Sequence, residues 1–316
     1  MKLLRPRRND LRRLALPLLM LLTTVACGSS DDPKDGGPSR DAIRAAGRAL
    51  AAPEVKLPPP EKGEWLDEHK EPGQSFDQYL ASNPNRPTAK RTTLYVQPLG
   101  EFQGREKELL ARTVEMLGLF YDMPVKTLDP IGLDVLPKEA HRVHPRWGVK
   151  QVDSLAVLQL LRTRRPDDAV AVLALTTSDL WPNDKVRAWN FVFGQASLRD
   201  RVGVWSIARY GDLQKEYPLA LQRTLKVALH ETGHMLGMFH CVAHKCGMNG
   251  SNHLPEADRQ PMAFCSECEM KVWWSCRSEI AGRYDRLTAF ADANGLIAEA
   301  KAWRAAQKLV GGAPSR

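Results

Sequence analysis

From Thr92 onward, short β-branched apolar runs alternate with longer stretches whose apolar residues fall three and four apart. "TTLYVQPLG" (92–100) reads as a strand closed by Pro-Leu-Gly, and "MPVKTLD" (123–129) as a second. Between them, "REKELLARTVEMLGLF" places Leu109, Leu110, Val114 and Leu117 on one helical face. "VDSLAVLQLLRTR" (152–164) predicts another helix, capped by Asp153 or Ser154. "AVAVLALTT" (169–177) is apolar at both parities, as a strand buried on both faces must be. "NFVFGQAS" (190–197) and "VGVWSIARY" (202–210) add two strands around the turn "LRDR". The long helix "YPLALQRTLKVALHETGHML" (217–236) follows. Five strands interleaved with helices predict an α/β fold, a sheet packed on helices. Beyond His240 the spacing becomes irregular and rich in Cys, Gly and Pro. A helical tail then closes the chain, with a break expected at Asn294-Gly295.

The first 90 residues follow neither period. A basic stretch, "MKLLRPRRNDLRR", precedes the apolar run Leu14–Leu22 and the small residues before Cys27, the order of a secretory signal. The uncharged run Leu14–Ser30 is short for a membrane span and contains Pro17; an uncleaved anchor is the alternative. A lone Cys after Val-Ala, followed by "GSSDDPKDGGPS", resembles the lipobox of bacterial lipoproteins, which implies lipidation at Cys27. Residues 1–26 are therefore expected to be a signal peptide and 27–90 a flexible, Pro-, Gly- and charge-rich tether. Within the tether, "RDAIRAAGRALAA" has the makings of a short helix. The expected location is exported and membrane-anchored, on the periplasmic or cell-surface side. Residues 91–316 are the expected folded domain, divided near Gly237 into an upper and a lower part.

Charge changes the picture little. Of the formal net charge of +8, five units come from residues 1–26 (Lys2, Arg5, Arg7, Arg8, Arg12 and Arg13 against Asp10). No basic stripe interleaved with aromatics remains, which argues against nucleic acid as a partner. With 43% hydrophobic residues over 316 positions, the chain can bury a core without disulfide staples. A monomer is expected.

The candidate chemistry is concentrated in "HETGHMLGMFHCVAHKCGM" (230–248). His230 and His234 are four apart on a helix, so both imidazoles can reach one ion. Glu231 lies about 100° round the helix, beside the ion, where a general base for a metal-held water is needed. Gly237 can take positive φ, so the chain can turn and return His240 to the same ion. Three neutral imidazoles leave a fourth zinc position open, the mark of a catalytic site. Cys241 and Cys246, with Cys265 and Cys268, give C-x4-C and C-x2-C pairs that suit a second, closed zinc site. Two disulfides are the alternative for an exported chain.

"HETGHMLGMFH" resembles the zinc motif of the metzincin clan. The run from His240 through Cys241, Cys246 and Met248 to "CSEC" closely resembles the archaemetzincins. The resemblance covers roughly Arg91 to Ala291 and includes "YVQPLG", "NFVFGQA" and "SIARY". It implies a metzincin-like mixed, twisted sheet of five strands, an active-site helix, and a smaller zinc-bound C-terminal subdomain. It also implies a zinc metallopeptidase with His230, His234 and His240 on catalytic zinc and Glu231 as base. Cys241, Cys246, Cys265 and Cys268 would hold structural zinc, making two Zn2+ per chain, and Met248 would form the floor of the site. Peptide substrate is expected along "NFVFGQAS" as an edge strand. Arg209 and Tyr210 are open candidates for a second oxyanion stabiliser. Two other readings stand beside this one: a zinc-stabilised binding lipoprotein with little turnover, and hydrolysis of a non-peptide amide.

Overall fold

The computed structural model describes residues 36–184 and 189–311. In chain order, α1 (Arg40–Ala51), α2 (Trp65–Glu68) and α3 (Phe76–Ala81) lead into β1 (Thr93–Leu99) and α4 (Arg105–Tyr121). Then come β2 (Val125–Thr127), β3 (His141–Val143), β4 (Lys150–Asp153), α5 (Ser154–Arg164), β5 (Ala169–Thr176) and β6 (Asp179–Trp181). β7 (Gly194–Ala196), β8 (Val202–Ser206) and α6 (Tyr217–Met235) complete the upper part. Below them lie α7 (Leu254–Arg259), α8 (Ser266–Cys276), α9 (Ala281–Ala293) and α10 (Ile297–Val310).

The main sheet has five strands in the order β2-β1-β5-β8-β7; all pairings are parallel except the antiparallel edge pair β7–β8. This is the expected mixed five-stranded sheet. β5 is buried at every position because both its faces are covered. Leu94, Val96, Leu173 and Leu175 join Leu117 of α4 and Leu225 and Leu229 of α6 in one core cluster. Tyr95, Val172 and Ala174 face Val157, Leu158 and Leu161 of α5 in another. Asp153 caps α5, its carboxylate accepting from the Leu155 N–H, and the tail breaks at Gly295 with φ 69°. A second, three-stranded sheet, β3-β4-β6, escaped the pattern because its strands are three or four residues long. α8 also lies hidden in the cysteine-rich stretch, with Trp273 fully buried.

The flexible tether expected over 27–90 is corrected from residue 36 onward. α1 buries Ile43, Ala46 and Leu50 in the main core and packs on α8 and α10. α3 buries Phe76 and Tyr79, with a Ser75–Gln78 capping box at its start. Residues 55–57 pair with 243–245 through Leu57 N–H to Ala243 O (2.9 Å) and Lys245 N–H to Val55 O (2.9 Å). The segment also closes the C-terminal end of α6. The last carbonyls of a helix lack intrahelical donors. Here the Asn85 amide donates to Met235 O (3.0 Å), the Tyr79 hydroxyl to Leu236 O (2.8 Å) and the Gln74 amide to Gly237 O (3.3 Å). The Pro-rich composition cannot show this, because the bonds span 150 residues or more of sequence. The expected signal peptide and Cys27 lie outside the described residues. Among the described residues, no helix is long and apolar enough to cross a membrane.

Candidate metal centre

α6 delivers His230 and His234 one turn apart, and the chain reverses immediately after it. Gly237 sits at φ 86°, and a β-carbon there would come within 2.9 Å of Pro84. Both facts demand glycine. His240 is thereby returned to α6, its ring centroid 5.1 Å from that of His230 and 4.8 Å from that of His234. One nitrogen from each of the three rings lies within 4.8 Å of the others, and the Nε2 atoms of His230 and His234 are 2.9 Å apart.

The outer nitrogens explain the convergence. Nδ1 of His230 lies 2.9 Å from Gly247 O, and Nδ1 of His234 lies 2.7 Å from Met238 O. Carbonyls only accept, so both Nδ1 atoms carry the proton and both Nε2 lone pairs face inward. Nδ1 of His240 meets the Glu71 carboxylate at 2.8 and 3.0 Å. Burial and the neighbouring imidazoles hold His230 well below its ordinary pKa and bring His234 down to about 3. The rings of His230 and His234 are therefore neutral, as metal ligation requires. Three converging imidazole nitrogens, with no fourth protein ligand among the described residues, fit zinc in an open site.

Glu231 faces β7. A β-carbon at Gly194 would lie 2.6 Å from its Oε1, so this edge strand passes directly over the carboxylate. Burial alone pushes the Glu231 pKa up to about 8. Met248 is fully buried, with its sulfur against α6 at Gly233, where a β-carbon would stand 2.6 Å away. Met248 therefore packs against the helix that carries His230 and His234.

The four cysteines form a separate cluster. Cys241, Cys246, Cys265 and Cys268 are buried free thiols whose sulfurs lie within 4.8 Å of one another. The Cys241–Cys265 Sγ separation is 3.6 Å, far beyond a disulfide bond of about 2.05 Å. It is close to the roughly 3.8 Å separating thiolates tetrahedrally placed at about 2.3 Å from zinc. Backbone N–H groups of Met248 and Cys265 donate to Cys246 Sγ at 3.4 and 3.2 Å. Hydrogen bonds from the neighbouring sulfurs, Cys246 first, hold Cys241 far below an ordinary thiol, whereas burial drives Cys246 well above it. Four sulfurs converging in one buried pocket suit a thiophilic cation. Asn249 ties the loop together: its side chain donates to Cys241 O (2.7 Å) and His244 O (2.9 Å) and accepts from Cys246 N–H (2.7 Å).

The histidines, Glu231, Phe193, Gly194, Gln195 and Tyr210 line a cleft of ≈ 780 Å³. A model of peptidase family M54 matches residues 127–273. Archaemetzincin-2 of Homo sapiens is 33% identical over 265 residues, covering 72% of each chain. Archaemetzincin-2 of Rattus norvegicus is 31% identical over 266 residues, covering 73% of each.

The chain belongs to the archaemetzincin family.

Membership makes this archaemetzincin a zinc-dependent metallopeptidase. The solved archaemetzincin of Methanopyrus kandleri is 28% identical with a TM-score of 0.49, over 61% of this chain and 99% of that one. Of the remaining site expectations, Tyr210 lines the cleft, its hydroxyl buried and without a hydrogen-bond partner among the described residues. Arg209 does not line it. Its guanidinium is held by Asp179 through two bonds of 2.7 Å and stacks over Phe191 at 3.9 Å. His253 borders the cleft and accepts from Glu256 N–H at the start of α7, whereas His244 lies 3.6 Å from Glu54. His144 stacks on Trp147 at 3.8 Å. Cys276 is a buried thiol, pushed up to about 12 by burial. Glu71 and Asn249 were missed; neither has a local motif, and Glu71 is 169 residues from its partner.

Proposed function

We propose that this archaemetzincin hydrolyses peptide bonds with Glu231 as general base, and that it holds two zinc ions. His230, His234 and His240 would hold the catalytic ion; Cys241, Cys246, Cys265 and Cys268 would hold the structural one. When bound, zinc supplies Lewis acidity, polarising a carbonyl oxygen, bringing the pKa of a water towards ~7 and favouring the ionised form of the adjacent Glu231. Glu231 accepts the proton of the attacking water and passes it to the leaving amine. The observation that carries this reading is position: Glu231 is the carboxylate of the histidine helix that lines the cleft, pressed between α6 and the edge strand β7. That strand has one neighbour in the main sheet, so a substrate backbone laid along it gains orientation by pairing. Met248 supports the histidines without ligating. Tyr210 is the better candidate of the two for contact with the developing oxyanion, since Arg209 is committed to Asp179.

The test is Glu231→Gln in the full chain against a peptide library. Zinc content should match wild type while hydrolysis falls by about 10²–10⁴-fold or more. Undiminished cleavage by the pure variant refutes Glu231 as base. Anchoring through a lipidated Cys27 remains part of the proposal, supported by the Leu14–Leu22 run and the small residues before Cys27. Mass measurement of the membrane-extracted chain tests it: an unmodified N-terminus at Met1 is incompatible.

A further inference from the structure

We infer that Glu71 is a positioning residue for His240, supplied to the metal centre by the N-terminal segment and lying outside the residues matched by the family model. The inference rests on the metallopeptidase reading and adds a member to its site. The three histidines solve the same problem in two ways. His230 and His234 are oriented by backbone carbonyls of Gly247 and Met238, close to the ligands in sequence. His240 is oriented by a side-chain carboxylate from the far end of the chain, with Nδ1 at 2.8 and 3.0 Å from its two oxygens. A carboxylate that accepts from Nδ1–H fixes the tautomer, aims Nε2 and makes it a stronger donor, and losing such a partner typically weakens metal binding about 10–100-fold.

The carboxylate is itself held in place. Upstream of it, residues 55–57 pair with the 243–245 loop. Trp65 stacks on His69 with centroids 4.0 Å apart and meets the His240 ring edge-on at 5.0 Å. Downstream, the Gln74 side chain bridges Gly237 O (3.3 Å) and Phe239 N–H (3.2 Å). Glu71 thus spans two anchors on the chain reversal that carries His240. Its role follows from these contacts and not from charge alone.

The experiment uses the full chain as wild type, Glu71→Ala and Glu71→Gln. Zinc affinity is read by competition with a chromophoric chelator, and the sites are separated by cobalt(II) spectra. Thiolate-to-cobalt charge transfer reports the cysteine site, and the visible d–d bands report the histidine site as well. Glu71→Ala should lose about 10–100-fold in affinity at the histidine site and shift its d–d bands. The thiolate band and the far-ultraviolet circular dichroism should not change. Glu71→Gln, whose amide oxygen still accepts from Nδ1–H, should recover part of the loss. Wild-type affinity and unchanged d–d bands in a folded Glu71→Ala overturn the role of Glu71 and leave the peptidase reading intact. If Glu71→Ala does not fold, wild-type affinity in a folded Glu71→Leu, which keeps the bulk and removes the acceptor, overturns it. A wild-type chain that takes up metal only on its thiolates overturns both.

Discussion

His240 and Cys241 are adjacent in sequence, yet they belong to centres built on opposite principles. The histidine centre borders the cleft, and its ligands are only partly buried. The cysteine centre is sealed: all four sulfurs belong to buried residues, and none of the four residues lines the cleft. The first offers three nitrogens and leaves a coordination position for chemistry; the second offers four sulfurs and leaves none. Their supports differ too. The histidines are aimed by two carbonyls and Glu71, whereas the cysteines are surrounded by backbone N–H groups and by Asn249. On the proposed function, openness and ligand number separate the reactive centre from the structural one, although one loop carries both.

Substitutions at each centre put that contrast under test. His234→Ala should bring peptide hydrolysis down to the uncatalysed background while the melting temperature stays within a few degrees of wild type. A large drop in stability would show that the open centre also holds the fold together. Cys246→Ser should do the reverse in kind. Loss of a metal is among the few single changes that cost several kcal/mol, so the thermal midpoint should fall on the order of 10 °C. Retention of two zincs with an unchanged midpoint would end the structural role of that cluster. Gly194→Ala acts between the centres and the sheet. Its new methyl would meet Glu231 Oε1 at 2.6 Å, so turnover should drop roughly tenfold or more while zinc is retained. Equal kinetics for Gly194→Ala and wild type would mean that the carboxylate position is not critical.

The smallest effect is a pH dependence confined to the metal-free open centre. Burial raises Glu231 to about 8, against about 4.3 in an unfolded chain. Between those values the native state keeps a proton that the unfolded state has lost, so stability falls as pH rises, by up to about 1.4 kcal/mol per unit. His230 and His234 act the other way and at lower pH: their depressed values cost stability as pH falls below about 6.5. Metal-free wild type should therefore lose melting temperature between pH 6.5 and 8 relative to metal-free Glu231→Gln. Parallel curves for the two proteins would place Glu231 in a wetter setting than its burial implies.

Much of this architecture was legible along the chain. β1, α4, α5, β5, β8 and α6 follow from runs long enough to show their period, and the C-terminal break follows from Asn294-Gly295. β3, β4 and β6 were not legible, because three- or four-residue strands carry almost no periodic signal. The segment from 36 to 90 misled for another reason. Its Pro- and charge-rich composition predicts a chain that cannot build a core of its own, which is compatible with the structure. Ile43, Leu50, Phe76 and Tyr79 are instead buried in a core supplied by helices far away in sequence.

The sequence by itself determined the candidate ligands. Histidines four apart on a helix, a glycine to reverse the chain, and paired cysteines at knuckle spacing are local facts, and local geometry converts them into convergent donors. Only the tertiary structure decided how those donors are aimed and enclosed. Glu71 reaching His240, Asn85, Tyr79 and Gln74 closing the end of α6, and Gly194 passing over Glu231 are contacts between distant segments. No period or motif encodes such contacts, because each depends on the packing of the whole chain.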